Sequence, residues 1–379
     1  MILPHPPGFR AAFVGTLRAI LAERYAVLAM IGAVVLYSVF YPSAYRHQVA
    51  SDLPAVVVDE DHSPASRELI RKLDAVHAIR LTTQPASMRE AYAALLAGQA
   101  EGILQIPAGF ERDIRRGRPG QLALLGDGAF LGRAGTVLGG FGDAIGGFAV
   151  GAGTDQARYS GAPTRAPLAV VQRPLFNTQE GYGSAIVPGV AELIVHQTLL
   201  LGIGVLFGAR RLRTGRRLAC PPRELAGMLA AFSVIGAFGL LYYSGFTFWA
   251  QDYPRGGNLP GLLVAGTCFI AATVSFGMFI GSFFDTRERA LQYVTATSLP
   301  LFFLANLSWP ASSTPDALLW LARLLPSTAG MNVMVQMNQM GATTGEAMPR
   351  LLNLAALALL YGALTVWRFR AAAPARATE

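Results

Sequence analysis

Six stretches of this chain are too long and too apolar for ordinary soluble helices: Tyr25–Tyr41, Ser184–Gly208, Leu225–Trp249, Gly261–Phe284, Ala290–Trp309 and Leu351–Trp367. A helix crosses a bilayer with about 20 predominantly apolar residues. The expected fold class is therefore a polytopic α-helical membrane protein of six spans. Composition agrees, with 53% hydrophobic and 14% charged residues, where soluble domains are roughly a quarter charged. Cys220 and Cys268 are the only cysteines, too few for a disulfide framework or a four-cysteine zinc site. Lys72 is the only lysine and is followed by Leu73, so the chain has no Gly-Lys-Ser/Thr phosphate loop of its own.

The net charge of +8 invites a nucleic-acid reading, which the distribution of charge removes. Residues 42–183 hold as many acidic as basic side chains, and the whole excess flanks the apolar runs. Fourteen arginines lie in the leader, the second-to-third and fourth-to-fifth connections and the tail. Only Arg255, Arg323 and Arg350 lie in the opposite short loops. Short cytoplasmic loops carry the basic excess, so both termini are expected in the cytoplasm. Residues 1–24 are expected as an amphipathic leader helix, with Phe9, Phe13, Leu17, Ile20 and Leu21 on one stripe lying in the membrane interface. The first run reads as an uncleaved anchor, because Tyr41-Pro-Ser-Ala-Tyr45 is a poor cleavage site.

Residues 42–183 are expected outside the membrane, as an α/β domain between spans 1 and 2. Ala55–Asp59, Ala78–Thr83, Glu101–Ile106 and Gln121–Leu125 read as strands, alternating with helical patterns after Ser63-Pro64, over Ser87–Ala97 and over Phe110–Arg116. The small-residue stretch Phe130–Gly153 reads either as a long closely packed helix or as an arm. Leu168–Val171 reads as a last extended run. Residues 184–369 carry five spans, with an outer helical hairpin at about 310–349 whose segments Leu318–Leu325 and Met331–Met340 read as short helices, and 370–379 form a cytoplasmic tail.

Few side chains offer chemistry. Glu192 and His196 are four apart in the second run, so they share a helix face. Ionisable groups inside a membrane usually face a cavity or a partner, which makes these two the candidates for a transport path or proton-linked site. The competing reading is a pair that holds helices in register. Arg210, Arg211, Arg213, Arg216, Arg217, Arg223 and Glu224 fill the connection Ala209–Glu224, a docking surface for a cytoplasmic partner as well as a topology signal that touches acidic lipid. Gly277 and Gly281 form a small-xxx-small pair. His47, His62 and His77 have no metal-site grouping, so no metal and no catalytic residue is expected.

Taken in order, several segments resemble the permease subunits of type-2 ABC exporters, the bacterial efflux type with a large extracytoplasmic insert. They are Val56–Leu69, Ala97–Phe110 with Arg116-Gly117, Leu125–Gly128, Phe176–Glu180, Val187–Gly189, Leu299–Phe303, Trp309-Pro310 and Leu325-Pro326. The chain differs in its Arg210–Arg217 run, where relatives often carry an acidic Arg-Glu segment, and in Ala305–Ser308. The resemblance implies a permease in the bacterial inner membrane that exports a drug or other amphipathic molecule by alternating access. It implies a second permease copy or close paralogue, a separate ATP-binding cassette subunit that carries ATP and Mg, and a periplasmic adaptor. No cofactor is expected on this chain, and lipid but no nucleic acid is expected around it. The alternatives are a proton-linked secondary transporter using Glu192 and His196, or a membrane-anchored sensor or assembly factor.

Overall fold

The chain divides into two units, residues 1–48 with 174–379 and residues 49–173. The structure, a computed structural model, describes residues 8–45, 50–128, 131–160, 175–177 and 181–370. Phe130, His47, the run Leu168–Val171, residues 178–180 and residues 371–379, with Arg376, lie outside the described residues.

The first unit opens with α1 (Phe9–Ala22), which the extended backbone of Glu23 separates from α2 (Arg24–Ser43). Within α2 a π turn covers Leu28–Gly32. The leader is helical over Phe9–Ala22 and packs on the bundle along one side. Thr16 and Ile20 are buried and Leu21 is exposed, because α1 packs through its small residues on a neighbouring helix.

The second unit is built on its turns. At the end of β1 (Leu53–Asp59) the Asp59 carboxylate accepts from the Asp61 and His62 amides and the Ser66 hydroxyl. Helix α3 (Pro64–Asp74) starts at once: Ser63 and Ser66 cap each other's amides at 3.0 Å, and Pro64 takes the first turn, where no amide is needed. There follow β2 (Ile79–Thr83), α4 (Met88–Leu96), β3 (Gly102–Ile106), α5 (Phe110–Arg115), β4 (Ala123–Gly126) and α6 (Leu131–Ser160). The sheet order is β2-β1-β3-β4, with β1 parallel to β2 and β3, and β4 antiparallel to β3. Alternation along the strands sends Ala55, Val57, Leu104 and Ile106 toward Leu69, Leu73, Val137 and Phe141 of α3 and α6. Val56, Val58 and Ile103 go to the other face with Ala91 of α4. The stretch left open as helix or arm is thus helical from Leu131, with Ala134, Val137, Phe141, Ala144 and Phe148 buried along one stripe.

The first unit resumes with α7 (Tyr182–Thr214), α8 (Pro222–Ala250, with a π turn at Tyr242–Thr247), α9 (Leu259–Gly281), α10 (Arg287–Leu304), α11 (Asp316–Arg323), α12 (Pro326–Asn338) and α13 (Met348–Phe369). By length and composition α2, α7, α8, α9 and α13 can cross a membrane, and α11 with α12, bent by 84°, would make a sixth span if taken as one. The expected span Ala290–Trp309 is not in that group. It forms α10, whose first turn carries Arg287, Glu288 and Arg289 and whose middle carries Gln292, Thr295, Thr297 and Ser298, so it is too polar to join that group.

Helix α7 is the centre of the bundle, with 83% of its apolar window buried against 22% for α13. It touches α2, α8, α9, α10 and α12, and glycines bring these neighbours close. A Cβ at Gly202 would meet Met30, one at Gly208 would land on the Thr286 carbonyl, and Gly277 and Gly281 sit against Leu200, Ile203 and Phe207. Likewise Gly227 of α8 admits the backbone of α1 at Phe9. The π-containing helices α2 and α8 are tied by the Tyr243 hydroxyl, which donates to the Val34 carbonyl at 3.0 Å, and by the Ser38 and Tyr242 hydroxyls at 3.1 Å.

Candidate functional site

Two groups of side chains stand out, one in the middle of α7 and one at its C-terminal end. In the middle, Glu192 and His196 are one turn apart and 2% and 0% exposed. They do not bond to each other. Among the described residues Glu192 Oε2 and both His196 ring nitrogens have no hydrogen-bond partner, and the His196 ring stacks on Phe276 of α9 at 6.0 Å. Holding helices together falls to Gln197 instead, whose amide donates to the Val294 carbonyl at 3.1 Å and the Ser298 hydroxyl at 2.8 Å on α10.

Further polar atoms gather at this level. Gly189 lies against Val335, and Leu193 shares a cluster with Met331. Helix α12 therefore runs antiparallel to α7, and one turn before Met331 its Ser327 reaches the level of His196. Gly277 lies against Leu200 and Ile203, so on α9, parallel to α7, Thr273 reaches the same level. Among the described residues both hydroxyls are buried without a hydrogen-bond partner, as is Gln197 Oε1. Three helices thus carry a carboxylate, an imidazole, an amide and two hydroxyls at neighbouring levels of an apolar bundle. Such a set can hold a proton or hydrogen-bond a polar group. Neither hydroxyl is hydrogen-bonded to the imidazole, and among the described residues no three metal-binding side chains cluster.

At the other end, α7 continues through Thr214, so the expected connection Ala209–Glu224 narrows to Gly215–Pro221. Gly215 caps the helix at φ 65, a left-handed conformation suited to glycine, and reverses the chain. The Cys220 amide then donates to the Phe369 carbonyl at 3.1 Å, which ties the connection to the end of α13. The turn brings Arg210, Arg211, Arg216 and Arg217 around one small cavity. Arg213 and Glu224 line a larger groove of about 440 Å³ between α1, α7 and α8, where Arg210 and Arg18 also point. Arg223 is exposed and lines neither. Burial pushes the Cys220 thiol beside Arg210 up to about 11, Glu224 adds to this and Arg210 opposes it. The thiol therefore stays protonated and unreactive.

Sequence reading missed Gln197, Thr273 and Ser327, although an amide in an apolar run is itself a signal. It also missed Arg368, which counts in the sequence only as a topology charge. Nor did it foresee the ion pairs that order this end: Arg287 with Glu23 at 2.9 Å, and Asp285 shared by Arg211 at 2.7 Å and Arg289 at 2.6 Å. A family model described as ABC-2 family transporter protein matches residues 25–367. A comparison with curated proteins finds no match.

Proposed function

The chain belongs to the ABC-2 family of transporter proteins, and on that premise we propose that it is the permease of an ATP-driven exporter in the bacterial inner membrane. A permease of this family is a membrane transport subunit that works with an ATP-binding cassette partner. We infer that two copies, or this chain and a close paralogue, line the path and alternate between inward and outward access. ATP and Mg are bound and used on the partner chain. The substrate class is a drug or other amphipathic molecule. Residues 49–173 stand on the outer side, where they meet an adaptor or guide the released molecule.

The observation that carries the exporter reading is the family match over nearly the whole chain, beside a central helix whose middle holds Glu192 and His196 unpaired. The exposed Arg213 and Arg223, with Glu224 in the first turn of α8, suit an acidic ATPase surface, since guanidinium groups pair bidentately with carboxylates. The groove beside α1 gives that surface a place to seat.

Purification from native membranes should recover an ATP-binding cassette protein, and Arg213→Glu with Arg223→Glu should lower that recovery and uncouple ATP hydrolysis from transport by about tenfold, the effect of ~1.4 kcal/mol. A chain purified alone that moves substrate on a proton gradient would overturn the reading in favour of a secondary transporter.

A further inference from the structure

Five guanidinium groups meet at the C-terminal end of α7. Arg210 and Arg211 come from its last turns, Arg216 and Arg217 from the connection that Gly215 turns back, and Arg368 from the end of α13. No carboxylate lines the cavity they share. Asp285, just beyond it, takes Arg211 but is also held by Arg289. Arg368 donates Nε to the Ser282 hydroxyl at 3.3 Å and lies over the Phe283 ring at 4.4 Å, both neutral partners. Among the described residues Arg210, Arg216 and Arg217 have no acidic partner, and Arg210 Nη1 is buried with no partner at all.

Two simpler causes account for part of this. The helix dipole favours cations in the last turn of α7, which covers Arg211 and Arg213. Topology needs basic residues somewhere on this side. Neither requires the turn and α13 to deliver three more guanidiniums to the same point, where like charges repel.

We propose that this cluster is a binding site for a phosphate group, and that the phosphate belongs to the headgroup of an anionic phospholipid. Guanidinium forks match phosphate oxygens two at a time. The enclosed volume is about 20 Å³, enough for the oxygens of a phosphate tip and not for a peptide segment. Around the arginines the walls are Phe207, Leu218, Phe284 and Phe369. The three rings are buried in the core, so only the headgroup phosphate enters. The cavity stands at the end of membrane-length helices, where anionic headgroups stand, and it is this position that favours a lipid over a free phosphate ion. The site would also clamp the end of α13 to the connection between α7 and α8, in addition to the single Cys220 to Phe369 hydrogen bond.

The proposal needs the membrane location but not the exporter reading, so its test uses the full-length permease without its ATPase. Native mass spectrometry would count bound phosphatidylglycerol against phosphatidylcholine of the same acyl chains. The expected result is about tenfold preference for phosphatidylglycerol, lost in Arg216→Gln with Arg217→Gln and Arg368→Gln, and kept in Arg213→Gln with Arg223→Gln. Arg368→Lys, which keeps the charge and the packing stem, should lose a few-fold and serves if the triple variant does not fold. Equal retention of the two lipids, or unchanged preference in both Arg368→Lys and the triple variant, would overturn the site. Displacement of the lipid by submillimolar inorganic phosphate would overturn the lipid assignment in favour of a soluble phosphate. Displacement by the purified ATPase would overturn it in favour of protein docking.

Discussion

A carboxylate turned into an apolar bundle without a partner is expensive to keep. Glu192 leaves its Oε2 in this position, and Gln197 five residues on already joins α7 to α10. Glu192→Gln keeps the shape and removes the ionisable oxygen. We expect it to lower transport about tenfold, ~1.4 kcal/mol of differential stabilisation, while melting temperature and membrane insertion do not fall. Normal transport in the variant would make the group incidental, and a lower melting temperature would make it structural. Asp61 tests the opposite case, a carboxylate placed for stability. Its oxygens accept from the Gly109 amide at 2.7 Å and the Glu111 amide at 3.0 Å at the start of α5. Partial burial raises its pKa, but the Ser63 hydroxyl and these amides outweigh that and hold it below the ordinary 3.8. A depressed carboxyl stabilises the fold above its unfolded value and loses that contribution as pH falls through the folded one. Asp61→Asn should therefore speed hydrogen exchange at the start of α5 near neutral pH, costing about 1 kcal/mol, the usual worth of a capped helix end. The difference should close as pH drops below 3.8. An equal difference at all pH values would refute it. Glu192 and His196 were legible because charge in an apolar run is conspicuous. Ser327 was not, since its burial comes from α12 packing back on α7.

Among the elements, the glycines of α6 and α7 have opposite roles. Gly208 lets α10 approach so closely that an added methyl would strike the Thr286 carbonyl, which is backbone and cannot rotate away. Gly208→Ala should destabilise by about 1–3 kcal/mol, the usual cost of overpacking. Gly135, Gly139, Gly142 and Gly146 of α6 meet nothing. There Gly135→Ala should stabilise the 49–173 unit by about 0.5–1 kcal/mol through helix propensity alone. Thermal melting with proteolysis mapped to each unit separates the two outcomes; stabilisation at both sites would mean that α7 and α10 have slack to give. Spans with a clean apolar pattern were readable to within a few residues. The polar side of α10 was harder to place, because the Ser298 hydroxyl and the Val294 carbonyl find their partner in Gln197 of α7, which no pattern along α10 reveals.

At the scale of the whole chain the arginine distribution makes the firmest demand. A reporter active only in the periplasm, fused after Ala100, should be active, and the same reporter after Gly215 should be silent. The reverse pattern would sink both the orientation and the placement of the arginine cluster in the inner leaflet. The alternation of strands and helices over residues 49–173 was readable because each element carries its own cap or turn, such as Ser63, Ser87 and Gly109. Convergence was not. Arg210 and Arg368 are far apart in sequence, and the left-handed turn at Gly215, the tie from Cys220 to Phe369 and the contact of the Phe207 and Phe369 rings at 5.6 Å bring their surroundings together.

The two π turns give α2 and α8 a shared vernier. A π turn holds one residue more than a regular turn needs, so the helix on either side of it is phased separately. Removing that residue from Tyr242–Thr247, at Gly245 for example, would shorten α8 hardly at all. The bulge would go with the residue, so the helix beyond would keep its phase and Phe248, now 0% exposed, its place in the core. A deletion from a regular turn would instead rotate everything beyond by about 100°. Helix α2 has its own extra residue at Leu28–Gly32, and Tyr243 grips Val34 just past it. Each helix thus carries a residue it can lose without losing phase, while the hydrogen bonds between them fix how far one can turn on its axis without the other.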